Sequence, residues 1–308
     1  MIKKTKGAEQ MLSIKHLRKQ FGSVKALDDV SFDVPDNQIT GLIGQNGSGK
    51  STTFHSILNF LKYDGEIRWN GQPIKEADFD SIGYLPEERS LMPKLTIEQQ
   101  IIYLARLKSK PAKEIRPQID GWLEKFAVKG KKTDKIKDLS KGNQQKVQLI
   151  VTLIHHPRLI ILDEPFSGLD PVNADLLKKA ILEARDQGAA IIFSSHDMAN
   201  VEAVCDRLVM LRTGDVVLNG TISEVRDQFG KSEIYVTTDW TEDQLKQLPH
   251  VIKVQNIRGN RFLLQIDDPS KGPEVFEKLT DGKYIEEFSQ QPPTLDEIFR
   301  MKAGIQHE

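Results

Sequence analysis

The sequence predicts an α/β domain followed by a small α+β domain, on three observations. Between Val30 and about Gly220 the pattern runs mostly strand, turn, helix, strand. Three short apolar runs, RLIIL, AAIIF and RLVML, suit strands covered on both faces of a parallel sheet, although buried helix segments share that composition. After about Gly230 the segments SEIYVTT, VIKVQNI and RFLLQID alternate like half-buried strands instead.

Each element has its own local reason. Residues 1–10 are polar and patternless and are expected to be a flexible extension; strand-like MLSIKHL begins at Met11. QITGLIG reads as a strand feeding a glycine-rich turn, followed by the helix KSTTFHSILNFL. GEIRWNGQPI reads as a hairpin turning at Asn70-Gly71, and SIGYLP as a short strand stopped by Pro86. From Thr96, a good N-cap, to Phe126 the apolar positions take helical spacing. Val147, Ile150, Val151 and Ile154 mark another helix, whose N-cap is Ser140 and whose first turn holds Gly142. Glycine inside a helix costs about 0.8–1.0 kcal/mol relative to alanine. At a first turn it is either inconsequential or leaves backbone N–H groups open to an anion. LVMLRTGDVVLNG is a second hairpin, turning at Thr213-Gly214-Asp215. TEDQLKQL and GPEVFEKL supply helices for the last part of the chain, which carries no chemical motif. The expected division is therefore extension 1–10, main domain 11–228 and accessory domain 229–308.

Composition narrows the function. The 308 residues carry a formal net charge of −1, so there is no electrostatic footprint for nucleic acid or an acidic membrane surface. The basic stretch KGKKTDKIK is most simply a solvated connector. The single cysteine, Cys205, allows no internal disulfide and, beside Val201, Val204 and Leu208, reads as a small buried filler. No apolar run approaches the roughly 18 residues of a membrane helix, and no signal sequence opens the chain. A cytosolic protein is expected, with any membrane role borrowed from a partner.

GQNGSGKST, comprising Gly44, Gln45, Asn46, Gly47, Ser48, Gly49, Lys50, Ser51 and Thr52, lies between a strand and a helix and satisfies the phosphate-binding loop pattern. Its glycines let backbone N–H groups turn toward phosphate oxygens, and the following helix points its positive end at them. Lys50 can reach the β- and γ-phosphates, and the Ser51 hydroxyl can ligate Mg²⁺. Other strands finish in polar groups: RLIIL in Asp163-Glu164, AAIIFSS in His196, SIGYLP in Glu87. In open parallel sheets, ligands sit beyond the carboxyl ends of the strands. Asp163 can hold Mg²⁺, Glu164 can position and polarise an attacking water, and His196 can bond that water or the γ-phosphate. Singly, a carboxylate pair fits a helix cap and a histidine fits a structural role; together with the phosphate loop they suggest nucleotide hydrolysis.

Over residues 11–220 the chain resembles the ATPase subunit of an ABC transporter. Gly44 to Ser51 match the Walker A motif, LIILDEP (159–165) matches Walker B, SGLD (167–170) matches the D-loop, and His196 falls on the switch histidine. Phe21 falls on the aromatic that stacks on adenine, and LSKGN (139–143) stands where the family has its LSGGQ signature. The resemblance implies a P-loop NTPase with antiparallel β and helical subdomains, ATP and Mg²⁺ as ligands, and Ser51, Glu87 and Asp163 around the metal. It also implies a second ATPase subunit, identical or related, whose Ser140 and Gly142 meet the γ-phosphate of ATP held by the first. The further partner is a transmembrane permease, which would hold the chain peripherally at the cytoplasmic membrane face and dock on the segment Thr96–Phe126.

Three positions depart from the family pattern. Lys141 replaces the first glycine of the signature pair, Asn143 the usual glutamine, and Glu87 the Q-loop glutamine. GYLPEERSL, with LDEIF near the end of the chain, resembles a bacterial subgroup mostly associated with export. The alternative is a soluble ABC ATPase acting on ribosomes or DNA; such proteins usually carry two cassettes or a long coiled coil, whereas here there is one cassette and no sustained heptad pattern.

Overall fold

The computed structural model describes residues 11–304 apart from Arg89 and Lys283, so the expected extension, 1–10, lies outside the described residues. The first hairpin, β1 (Met11–Phe21) and β2 (Val24–Pro35), leads into β3 (Ile39–Ile43) and helix α1 (Lys50–Ile57). A second hairpin follows, β4 (Asp64–Trp69) and β5 (Gln72–Pro73). These two hairpins make an antiparallel sheet ordered β2-β1-β4-β5. Asn70 and Gly71 both take positive φ, 52° and 76°, the pattern a two-residue type I′ turn requires.

Strand β6 (Ile82–Leu85) opens the helical segment, α2 (Ile97–Leu107), α3 (Ala112–Ile115), α4 (Ile119–Lys125) and α5 (Lys141–Leu153). The helical period from Thr96 to Phe126 is thus broken twice. Pro111 is the N-cap of α3, and Pro117 lies in a 3₁₀ turn ahead of α4. Thr96 caps α2 reciprocally with Gln99, each side chain accepting the other's backbone N–H. Then come β7 (Leu159–Leu162), α6 (Pro171–Asp186), β8 (Ala190–Ser195), α7 (Met198–Val204), β9 (Arg207–Arg212) and β10 (Asp215–Thr221). The hairpin turn between β9 and β10 is Thr213-Gly214 alone, at φ 49° and 86°.

These strands form a six-stranded sheet ordered β10-β9-β3-β8-β7-β6, parallel from β9 through β6. The runs RLIIL, AAIIF and RLVML are β7, β8 and β9, and β7 and β8 are buried at every position. That resolves the ambiguity between strand and buried helix. Leu42, Ile161, Ile192 and Val209 on the sheet join Phe54 and Ile57 of α1 and the β1–β2 hairpin in one core. Helix α5 lies unusually close to the edge strand: a Cβ on Gly83 would come 2.6 Å from the Thr152 carbonyl oxygen. Cys205 fills the space over Gly41 of β3, and burial pushes its thiol pKa up, as expected of an inert filler.

The chain divides into two compact units between Asn219 and Gly220, earlier than the expected 228/229. The reason is α8 (Ile222–Asp227), whose Arg226 donates to the carbonyls of Pro292 and Pro293 in the second unit. That unit continues with β11 (Glu233–Thr237), α9 (Glu242–Leu245), β12 (Val251–Arg258), β13 (Arg261–Ile266), α10 (Gly272–Thr280), β14 (Glu287–Gln291) and α11 (Leu295–Ala303). Its antiparallel sheet is ordered β12-β13-β11-β14 over a core that includes Ile234, Val236, Leu264 and Val275. Among the described residues no helix is long and apolar enough to cross a membrane.

Ile192, wholly buried in β8, tests the central packing. Ile192→Ala is expected to destabilise the first unit by about 2–5 kcal/mol in urea unfolding, and a loss below about 1 kcal/mol would contradict the packing described.

Candidate active site

Beyond β3 the chain wraps into the loop Gly44–Gly49, and two glycines are fixed by close approach. At Gly44 (φ 155°) a Cβ would lie 2.5 Å from the Leu211 carbonyl oxygen; at Gly49 (φ 110°), 2.8 Å from that of Ala26. The loop curls around Lys50, the first residue of α1. Its side chain is buried, 7% exposed, and its ammonium donates to the Gly44 carbonyl at 2.8 Å and the Gln45 carbonyl at 3.2 Å. Burial lowers the Lys50 pKa, while the charges of Glu164, Asp163 and Glu87 act in the opposite direction. Gln45 contributes its main chain, its side chain being exposed. The Ser48 hydroxyl is buried without a hydrogen-bond partner.

At the end of β7, Asp163 is buried and Glu164 takes a left-handed conformation, φ 46°, unusual for a non-glycine residue. Ser194 of β8 secures both: its hydroxyl donates to Asp163 Oδ1 at 2.7 Å and accepts the Glu164 N–H at 2.7 Å. The Glu164 carboxylate is divided between two environments. Oε2 lies 3.0 Å from His196 Nδ1, whereas buried Oε1 has no hydrogen-bond partner and sits 3.9 Å from the Lys50 ammonium.

A cavity of about 400 Å³ gathers these groups. From the loop it is lined by Asn46, Gly47, Gly49, Lys50, Ser51 and Thr52; from the strand ends it receives Glu87, Asp163, Glu164 and His196. Parallel pairing of β6, β7, β8 and β3 produces this convergence. Burial first, and then the charges of Asp163 and Glu87, push the Tyr84 phenol up to about 12. Among the described residues no three His, Cys, Asp or Glu are arranged to hold a metal. Magnesium does not demand such a cage, since it keeps waters and takes one or two carboxylates plus substrate phosphates. The hard oxygens of Ser51, Asp163 and Glu87, all lining this cavity, fit that need. A larger cavity, about 710 Å³ and lined by Trp122, His156 and Arg158, holds none of these groups.

Six expected site residues do not line the cavity: Gly44, Gln45 and Ser48 belong to the loop that supplies part of its lining, and Phe21, Ser140 and Gly142 lie outside that loop. Phe21 is 47% exposed at the end of β1, with the Lys19 ammonium 5.0 Å from its ring centroid. Ser140 caps α5, accepting the Asn143 N–H at 3.3 Å, and lines a separate cavity with Lys129, Lys135 and Lys137. Gly142 faces open space: a Cβ there would meet nothing nearer than Asn173 Nδ2 at 3.9 Å. Intrachain packing therefore gives no reason for its being glycine.

Ser194 and Ala26 belong to the site as well and were not among the expected residues; Ser167, first residue of the D-loop match, also lines the cavity. A hint of Ser194 lies in its position two residues before His196. Its role depends on β8 lying beside β7, an adjacency that no local pattern states.

A six-stranded sheet whose phosphate loop faces an acidic pair and a histidine defines a nucleotide-hydrolysing P-loop protein. Residues 27–167 match the ABC transporter family model, and residues 220–303 match the C-terminal domain of DrrA1-3-like ATP-binding proteins. The chain is 40% identical to the ABC transporter ATP-binding protein YhaQ of Bacillus subtilis (strain 168), over 97% of this chain and 100% of YhaQ. It is 30% identical to the lipopolysaccharide export system ATP-binding protein LptB of Haemophilus influenzae, over 73% of this chain and 97% of LptB. A solved ATP-binding subunit of an ABC transporter superposes with a TM-score of 0.67 at 32% identity, over 71% of this chain and 93% of its own. The chain belongs to the ABC transporter ATP-binding proteins, the ATPase subunits of these transporters.

Ser194→Ala removes the donor to Asp163 and the acceptor for the Glu164 N–H. ATP turnover is expected to fall by about 10- to 100-fold, the usual cost of losing a group that orients a ligand. Steady-state hydrolysis measures it, and an unchanged rate would remove Ser194 from the site.

Proposed function

We propose that this chain hydrolyses ATP in a head-to-tail pair, with itself or a relative, and so drives a separate membrane permease, as an exporter. The observation that carries this is the half-satisfied Glu164 carboxylate. Glu164 lines the phosphate-loop cavity; its Oε1 is buried without a hydrogen-bond partner, 3.9 Å from the Lys50 ammonium, while Oε2 is held by His196. A carboxylate in that state can accept a proton from, or align, a water attacking the γ-phosphate. Lys50 would meet the β- and γ-phosphates, exchanging its bonds to the Gly44 and Gln45 carbonyls for stronger charge-assisted ones. Magnesium, bound with the nucleotide through Ser51, Asp163 and Glu87, would neutralise charge on the β- and γ-oxygens.

The open face at Gly142 supports the pairing. Ser140 and the N-terminus of α5 present a hydroxyl and unpaired N–H groups that a partner's γ-phosphate would complete. Phe21, exposed at the rim, would lie against the adenine. Binding two nucleotides would close the pair, and hydrolysis would reopen it. The permease would dock on the helical segment after Glu87, where Tyr103 and Leu107 of α2 are exposed, and would hold the chain at the cytoplasmic membrane face. Support for export comes from the GYLPEERSL and LDEIF resemblance and from the export role in the name of LptB.

Glu164→Gln is expected to keep ATP binding while lowering turnover by roughly 10²-fold or more and accumulating ATP-bound pairs. A fully active variant overturns the assignment. Gly142→Phe should leave ATP affinity of the single chain unchanged in calorimetry and abolish pairing in size-exclusion chromatography with ATP; normal pairing would contradict the role given to α5.

A further inference from the structure

The Phe21 ring has company at the end of β1. A strand sends alternate side chains to the same side, so Lys19 and Phe21 emerge together. The Lys19 ammonium lies over the ring, 5.0 Å from its centroid. It also donates to the Lys62 carbonyl at 2.6 Å, in the segment after α1. That partner is neutral, which leaves the positive charge uncancelled beside the ring. Lys25, opposite Gln20 on β2, is instead paired with the Asp28 carboxylate at 2.9 Å. The Gln20 side chain donates to the Gly22 carbonyl at 2.7 Å and braces the turn that follows Phe21.

The β1–β2 hairpin brings this pair beside the phosphate-loop cavity. Phe21 stands opposite Val24, Gln20 opposite Lys25 and Lys19 opposite Leu27, which leaves Ala26 as an extra, bulged residue of β2. Ala26 lines the cavity, and its carbonyl is the one that closes on Gly49. Half-exposed Phe21 thus shares a hairpin with a residue of the cavity wall.

We propose that Lys19 is a positioning residue for the nucleotide base, backing Phe21 so that a purine stacks on the ring's other face. The role rests on the adenine contact proposed for Phe21. Two physical effects produce it. An aromatic face is electron-rich, and so is the face of a purine, so the two repel where they overlap. A cation on the far side draws the ring's electrons toward itself and weakens that repulsion. The ammonium also occupies one face and, held by Lys62, limits the swing of an exposed ring, so less freedom is lost when a base settles there. Because Lys62 follows the helix that begins at Lys50, the same bond ties the stacking surface to the phosphate loop.

Steady-state hydrolysis of ATP by the full chain tests this. Lys19→Met is expected to raise KM for ATP about 3-fold with kcat unchanged, the mark of lost binding and not of lost chemistry. Lys19→Arg, which keeps a cation able to lie over the ring, should restore the wild-type KM. Phe21→Ala should raise KM by about 10-fold. Adding Lys19→Met to it should raise KM no further, because the ammonium then has no ring to back. A wild-type KM in Lys19→Met, a KM in Lys19→Arg as high as in Lys19→Met, or an undiminished further rise in the double variant overturns the role of Lys19 and leaves the adenine contact standing. A wild-type KM in Phe21→Ala overturns both.

Discussion

The buried ammonium of Lys50 is the constraint around which the first unit is arranged. An uncompensated charge at that depth costs several kcal/mol, so it needs acceptors or anions close by. Two carbonyls of its own loop hold it, and Glu164 stands across the cavity. For those carbonyls to turn inward the loop must coil tightly, which leaves no room for side chains at Gly44 and Gly49. For the carboxylates to arrive opposite, the strands that carry them must run parallel and end at one edge. The site is thus a solution to burying one positive charge that stays incomplete until a polyanion arrives.

What could be read in the sequence was what local chemistry determines. The phosphate loop, the Asn70-Gly71 turn, the Thr96 cap and the polar tips of β7 and β8 each lie within a few consecutive residues, and the structure places all of them as expected. What could not be read depends on neighbours distant in the chain. Ser194 matters because β8 lies beside β7, and Ala26 because a hairpin folds back over Gly49. Strand β14 escaped because EFSQQ is half-buried and lacks apolar alternation; its partner β11 makes it a strand. The breaks in the helical segment could have been foreseen at Pro111 and Pro117, where a continuous period concealed two ends. The domain boundary shifted because α8 is claimed by a hydrogen bond made far along the chain.

Helix α5 has a mechanical consequence. Its N-terminus bears Ser140 and Gly142, while farther along Gln148 donates to the Glu88 carbonyl, Thr152 to the Tyr84 carbonyl, and bare Gly83 admits its backbone against β6. The helix therefore behaves as a rigid strut braced on the strand that carries Glu87. A displacement of the outward-facing hydroxyl would therefore be carried along the helix to its contacts at Tyr84 and Glu88, on either side of Glu87, as along a lever arm.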